Sequence, residues 1–121
     1  MQIVAIRGAI TIEANSKEEI ELNTIELLNT ILETNKISKD DIIQAIFTVT
    51  KDIDADFPAK YARLNLGWDN VPMICSYEMS VPNSLQMCLR VLITTYSEFS
   101  KNEVKHAYLK GAAKLRPDLS K

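Results

Sequence analysis

An arginine stands in the middle of each of two runs that otherwise read as β-strand. Arg7 interrupts Ile3-Val4-Ala5-Ile6-Arg7-Gly8-Ala9-Ile10, and Arg90 interrupts Leu89-Arg90-Val91-Leu92-Ile93. A guanidinium on a half-buried strand needs an anionic partner, because an unpaired buried charge is costly. Few acids accompany these runs. The partner is either an acid delivered by the fold, with Glu78 the candidate for Arg90, or a bound anion. Two such arginines favour the second reading, a carboxylate- or phosphate-binding site.

The chain of 121 residues is read as one domain, 1–121, long enough to bury a core without staples. Its net charge of −2 argues against a nucleic-acid partner, which calls for a basic excess. Cys75 and Cys88 make no disulfide framework at this size, and with the single His106 they are too few for a zinc site. No run approaches the roughly 18–20 apolar residues that span a bilayer. The first run is broken by Arg7 and leads into Thr11-Ile12-Glu13 with no cleavage site. The expectation is a cytoplasmic protein without metal, cofactor or membrane contact.

Alternation puts Ile3, Ala5, Arg7 and Ala9 on one face of a first strand and Val4, Ile6, Gly8 and Ile10 on the other. Ser16-Lys17-Glu18-Glu19 is a capping-box pattern opening a helix with Ile20, Ile25, Leu28, Ile31 and Leu32 on one stripe, stopped near Asn35. Ser38 to Asp41 reads as a turn, and the β-branched run from Ile42 to Thr50 as a strand. An acidic loop from Asp52 to Asp56 precedes a short helix with Pro58 at its first position and Gly67 at its end. Strands are predicted from Val71 to Met79 and from Leu85 to Thr95, joined through a turn at Pro82-Asn83-Ser84. A second capping box, Ser100 to Glu103, predicts a closing helix with Val104, Tyr108, Ala112 and Leu115 on one stripe. The class is α+β, a sheet with helices on one face. The other face would be left wet, which points to oligomerisation through the sheet.

The chemistry-bearing residues give only a small-anion site by themselves. Arg90 shares a face with Cys88, Leu92 and Thr94. Glu78 is either a partner for an arginine or an acceptor for a substrate hydroxyl. Cys75 has no base beside it, so a nucleophilic thiol is disfavoured. Lys60 and Arg63, taken alone, read as solvated helix residues.

Motifs along nearly the whole chain resemble the trimeric AroH-type chorismate mutases. They are Ile6-Arg7-Gly8-Ala9, Phe57-Pro58-Ala59-Lys60-x-x-Arg63, Gly67-Trp68-x-x-Val71-Pro72, Cys75-x-x-Glu78-Met79-x-Val81, Cys88-x-Arg90-Val91, Tyr108-Leu109 and Leu115-Arg116-Pro117-Asp118-Leu119. The resemblance implies a homotrimer whose sheets form a barrel-like core, a pseudo α/β-barrel, with active sites between subunits. It also implies a reaction, the cofactor-free rearrangement of chorismate to prephenate in phenylalanine and tyrosine biosynthesis.

Chorismate is a dicarboxylate with an enolpyruvyl ether and a ring hydroxyl. By this resemblance Arg90 stabilises the charge that gathers on the ether oxygen as the C–O bond breaks, and also holds a carboxylate. Arg7 and Tyr108 bind carboxylate. Glu78 accepts from the ring hydroxyl, with Cys75 as a polar contact. Phe57, Ala59, Lys60, Arg63, Met73 and Ile74 line the cleft, and Leu115 and Arg116 close it from a C-terminal tail. The alternative is a trimeric small-carboxylate binder or an enamine/imine deaminase-like protein.

Overall fold

The computed structural model describes residues 1–116. Five strands form one mixed sheet in the order β3-β2-β4-β1-β5. They are β1 (Gln2–Thr11), β2 (Ile42–Val49), β3 (Met73–Tyr77), β4 (Cys88–Ser97) and β5 (Ala107–Leu109). Two helices, α1 (Lys17–Asn35) and α2 (Pro58–Leu66), complete the α+β architecture with short 3-10 segments at Lys39–Asp41 and Lys110–Lys114. β4 lies antiparallel between β1 and β2, while β3 pairs parallel with β2 and β5 parallel with β1.

The period-2 pattern decides which face is buried. Val4, Ile6 and Ile10 of β1, Ala45, Phe47 and Val49 of β2, and Leu89, Val91 and Ile93 of β4 pack in one core with Leu27, Leu28 and Ile31 of α1 and Tyr61 and Ala62 of α2. A bulge at Ile43 keeps this parity: Ile42 pairs with Thr95 and Gln44 with Thr94, so Ile42 and Ala45 are both buried. On the opposite face Ile3, Ile74, Leu92 and Tyr96 remain exposed. Both helices thus serve one face, as the alternation predicts.

Ser16 caps α1 by accepting from the Glu19 N–H at 3.2 Å. The predicted reciprocal half of the box is different: Glu19 Oε1 accepts from the Glu13 N–H at 2.8 Å, and the Ser16 N–H goes to the Ala14 carbonyl. The buried stripe also contains Asn23, Thr24 and Leu27, whereas Ile25 is only half-buried. Asn35 is the last helical residue, and Lys36 takes the left-handed conformation (φ 54°) that ends the helix.

Gly8 lies on the helix side of β1. A Cβ there would meet Ile31 Cδ1 at 2.6 Å and Leu27 Cδ1 at 3.1 Å. The close approach that Gly8 allows on this side is therefore that of α1. Gly8→Ala is expected to destabilise the fold by about 1–3 kcal/mol through overpacking, read as a lower urea midpoint with an unchanged slope.

The predicted closing helix is a correction. Ser100 and Glu103 form one half of their box, with the Ser100 N–H on Glu103 Oε1 at 2.8 Å, but only a turn follows. Ala107, Tyr108 and Leu109 instead add a parallel strand to the edge of β1. That edge would otherwise leave its backbone groups unpaired. Asn35 steers the chain there, accepting from the Lys105 N–H at 2.7 Å and donating to the Lys105 carbonyl at 2.9 Å. Lys110 then turns at φ 54°, and the Gly111 N–H is taken by Thr11 Oγ1 at 2.9 Å. Tertiary pairing here overrides a local helix signal. β3 and β4 are also displaced from their predicted limits, because Pro72, Glu78 and the stretch before Cys88 lie outside the paired strands.

Candidate active site

The register of the sheet assembles the site. On the open face one row runs Tyr108, Ala9, Arg90, Thr48, each opposite the next on neighbouring strands. The adjoining row is Arg7, Leu92, Ile46. Arg7 and Arg90 are therefore diagonal neighbours, a spacing of about 7–8 Å at which long side chains reach one another's targets. The small Ala9 between Tyr108 and Arg90 leaves the row concave. Arg7, Ala9, Ile46, Thr48, Glu78, Arg90, Leu92 and Tyr108 line a cavity of about 250 Å³.

Glu78 follows β3 and is held over this cavity by its own N–H, which bonds the Val49 carbonyl at 2.8 Å. Its Oε2 lies 3.6 Å from Arg90 Nη1 and accepts from Thr48 Oγ1 at 3.3 Å. Its Oε1 accepts from the Met79 N–H at 3.1 Å. The ion pair weighed for Arg90 therefore exists, and an open cavity exists beside it. The Arg90 side chain is still 42% exposed, so one carboxylate does not consume its five donors.

His106, which falls within the span of the predicted closing helix, lies beside Arg7 instead. It precedes β5, and its Nδ1 accepts the Arg7 N–H at 2.9 Å, extending the ladder one residue beyond the strand. Burial, then the Arg7 and Arg116 charges, hold its pKa below the usual value. The imidazole is thus neutral at pH 7 and available as an acceptor. Protonation would break the bond and place a third cation beside Arg7 and Arg116. Substrate turnover at low concentration is expected to fall on the acid side of the ordinary imidazole range, where the lowered His106 pKa places its protonation, and His106→Asn, which keeps an acceptor but cannot titrate, is expected to flatten that limb of the kcat/KM profile.

A second cavity, of about 430 Å³, lies at the α2–β3 side and collects Phe57, Ala59, Lys60, Arg63, Met73, Ile74 and Cys75 with Trp68, Asp69 and Val71. α2 starts at Pro58, whose missing N–H costs nothing at a helix start, and ends on Gly67 at φ 70°. Burial pushes the Cys75 thiol up, so it is a neutral polar surface and not a nucleophile. No residue lines both cavities. Each carries two cations against one carboxylate: Arg7 and Arg90 with Glu78, and Lys60 and Arg63 with Asp69.

The sequence-predicted residues thus separate into two groups within one chain, and Cys75 does not join Glu78. Leu115 and Arg116 line neither cavity; Leu115 packs with Tyr108 against Ala9, Cys88 and Ala112. Pro117, Asp118 and Leu119 lie outside the described residues. Thr48 and Ala9 were missed. Their outward parity was legible, but their alignment with Arg90 required the strand register. Among the described residues no helix is long and apolar enough to cross a membrane, and no group of three or more His, Cys, Asp or Glu could hold a metal ion.

Fold and site together define an α+β protein with a cavity on an open sheet face that carries two arginines and one carboxylate. A family model for chorismate mutase type I matches residues 3–119, and the chain belongs to that family. It is 41% identical over 120 residues to Chorismate mutase AroH of Bacillus subtilis, covering 99% of this chain and 94% of that protein. It is 44% identical over 115 residues to Chorismate mutase AroH of Thermus thermophilus, covering 94% and 93%. A solved chorismate mutase from Clostridium thermocellum superposes with a TM-score of 0.88 at 46% identity, over 91% of this chain and 97% of the other.

Proposed function

We propose that this protein is a chorismate mutase of aromatic amino-acid biosynthesis, and that it rearranges chorismate to prephenate at sites formed between subunits of a homotrimer. The observation that carries the reading is the convergence of Arg7, Glu78, Arg90 and Tyr108 on one cavity. Two half-sites in one chain, one presenting Arg7 and Arg90 and the other Lys60 and Arg63, suit a dicarboxylate once a second subunit brings them face to face. The exposed Ile3, Ile74, Leu92 and Tyr96 support burial of the open sheet face in such an assembly.

The reaction is a single pericyclic step. The ether C–O bond breaks ahead of C–C formation, and electron density moves onto the ether oxygen. A guanidinium already aimed at that oxygen stabilises the transition state more than the substrate. Arg90 takes this role, oriented by Glu78. Arg7 and Tyr108 hold a carboxylate, and the free lone pairs of Glu78 accept the ring hydroxyl. Phe57, Ala59, Lys60, Arg63, Met73, Ile74 and Cys75 of the neighbouring subunit form the opposite wall and favour the compact substrate conformer. Leu115 and Arg116 border the Tyr108 side.

The purified protein is expected to abolish chorismate absorbance, and a bicyclic dicarboxylate mimic of the transition state is expected to block this. Saturable binding of the mimic without loss of chorismate would leave a carboxylate binder in place of an enzyme.

A further inference from the structure

Asp56, in the loop that enters α2, is the most heavily engaged carboxylate near the second cavity. It accepts from the Phe57 N–H at 2.8 Å, from the Tyr61 hydroxyl at 2.7 Å and from Lys60 Nζ at 3.0 Å. Its side chain is only 9% exposed. Phe57, the residue that caps α2, offers no side-chain bond of its own. Lys60 Nζ also sits 5.6 Å above the Tyr61 ring. The Tyr61 hydroxyl, then the Phe57 N–H, then Lys60 hold Asp56 down to about 2, and burial followed by the Asp56 charge pushes Tyr61 up to about 12. Asp56 and Tyr61 therefore keep their states throughout the neutral range. Asp56 does not line the cavity that Phe57 and Lys60 share; with Phe57, Pro58 and Cys75 it lines a neighbouring one.

We propose that Asp56 and Tyr61 are positioning residues that tether Lys60 and the Phe57 end of α2, so that Lys60 meets a substrate carboxylate as an already oriented cation. The inference rests on the reading of Lys60 as a substrate contact. A lysine ammonium rides a flexible four-carbon stem, and ordering such a side chain on binding weakens affinity. Here the ordering is done in the folded protein, before any ligand arrives. Lys60 remains 38% exposed, leaving donors for a second partner.

Asp56→Asn preserves size and an acceptor for the Phe57 N–H, but it puts an amide nitrogen where Tyr61 and Lys60 now find an oxygen and removes the charge that holds Lys60. It is expected to raise KM for chorismate about 2- to 10-fold, the range for ordering one long side chain, with kcat changed less than about twofold. Tyr61→Phe is expected to raise KM in the same sense, and it carries the test if Asp56→Asn does not fold. In a Lys60→Met background, the Asp56→Asn effect on KM is expected to vanish. A lower Tm with unchanged KM, a lowered KM, or a KM effect that persists undiminished in Lys60→Met would overturn the tether. An unchanged KM in Lys60→Met alone would instead remove Lys60 as a substrate contact, and the tether's purpose with it.

Discussion

Arg90→Ala is expected to lower kcat by on the order of 10²–10³-fold, the effect of removing one preorganised donor from a charge-developing transition state. Two features of the site push the value to the upper end. Arg90 lies at the centre of its row, with Ala9 and Thr48 as small neighbours, so no adjacent side chain replaces it. Its removal also leaves Glu78 without its cation, turning the cavity's charge balance from two cations against one carboxylate to one against one. A dicarboxylate substrate would then meet an uncompensated acid. Arg90→Lys is expected to recover only part of the loss, because an ammonium cannot serve Glu78, a carboxylate and the ether oxygen with a planar fork. The fold should survive, since the side chain is 42% exposed and outside the helix-side core. Turnover and thermal unfolding measured on the same preparations separate the two effects, and near-normal kcat in Arg90→Ala would remove the proposed mechanism.

Co-expression of two inactive variants is expected to restore activity. One carries Arg90→Ala; the other carries Lys60→Ala with Arg63→Ala. Each spoils a different cavity. If a working site joins the Arg90 cavity of one subunit to the Lys60–Arg63 cavity of the next, random assortment in a closed ring leaves about one site in four intact. The mixture should then show about a quarter of the wild-type rate against two nearly silent parents. Mixed assemblies that form, as shown by two different affinity tags, yet remain silent would mean that both cavities act within one chain.

The helix-side core was readable because it rests on local periodicity. Val4, Ile6 and Ile10, the α1 stripe and the Pro58 and Gly67 boundaries of α2 all follow from spacing and cap chemistry within a few residues. Arg7 and Arg90 were readable as misfits in apolar runs. The closing segment was not, because Ala107 to Leu109 form a strand only on account of the free edge of β1 and the side chain of Asn35, both remote in sequence. His106 suffered the same fate: its bond to Arg7 spans 99 positions and leaves no local trace. Asp56 read as one acid in an acidic loop, and only the folded α2 brings Lys60 and Tyr61 onto it. The resemblance gave the list of site residues, whereas the division of that list into two halves came from the sheet.

The sheet order has a consequence for how the molecule is made. β1 and β2 do not pair with each other; each depends on β4 for its antiparallel neighbour. A chain that stops short of Cys88 therefore lacks the strand that joins β1 to β2. Among the described residues β5 is the last strand in sequence, and it holds the first one from the far edge. Any chain cut short before Ala107 would carry the guanidiniums but lack the edge that holds Tyr108 beside them.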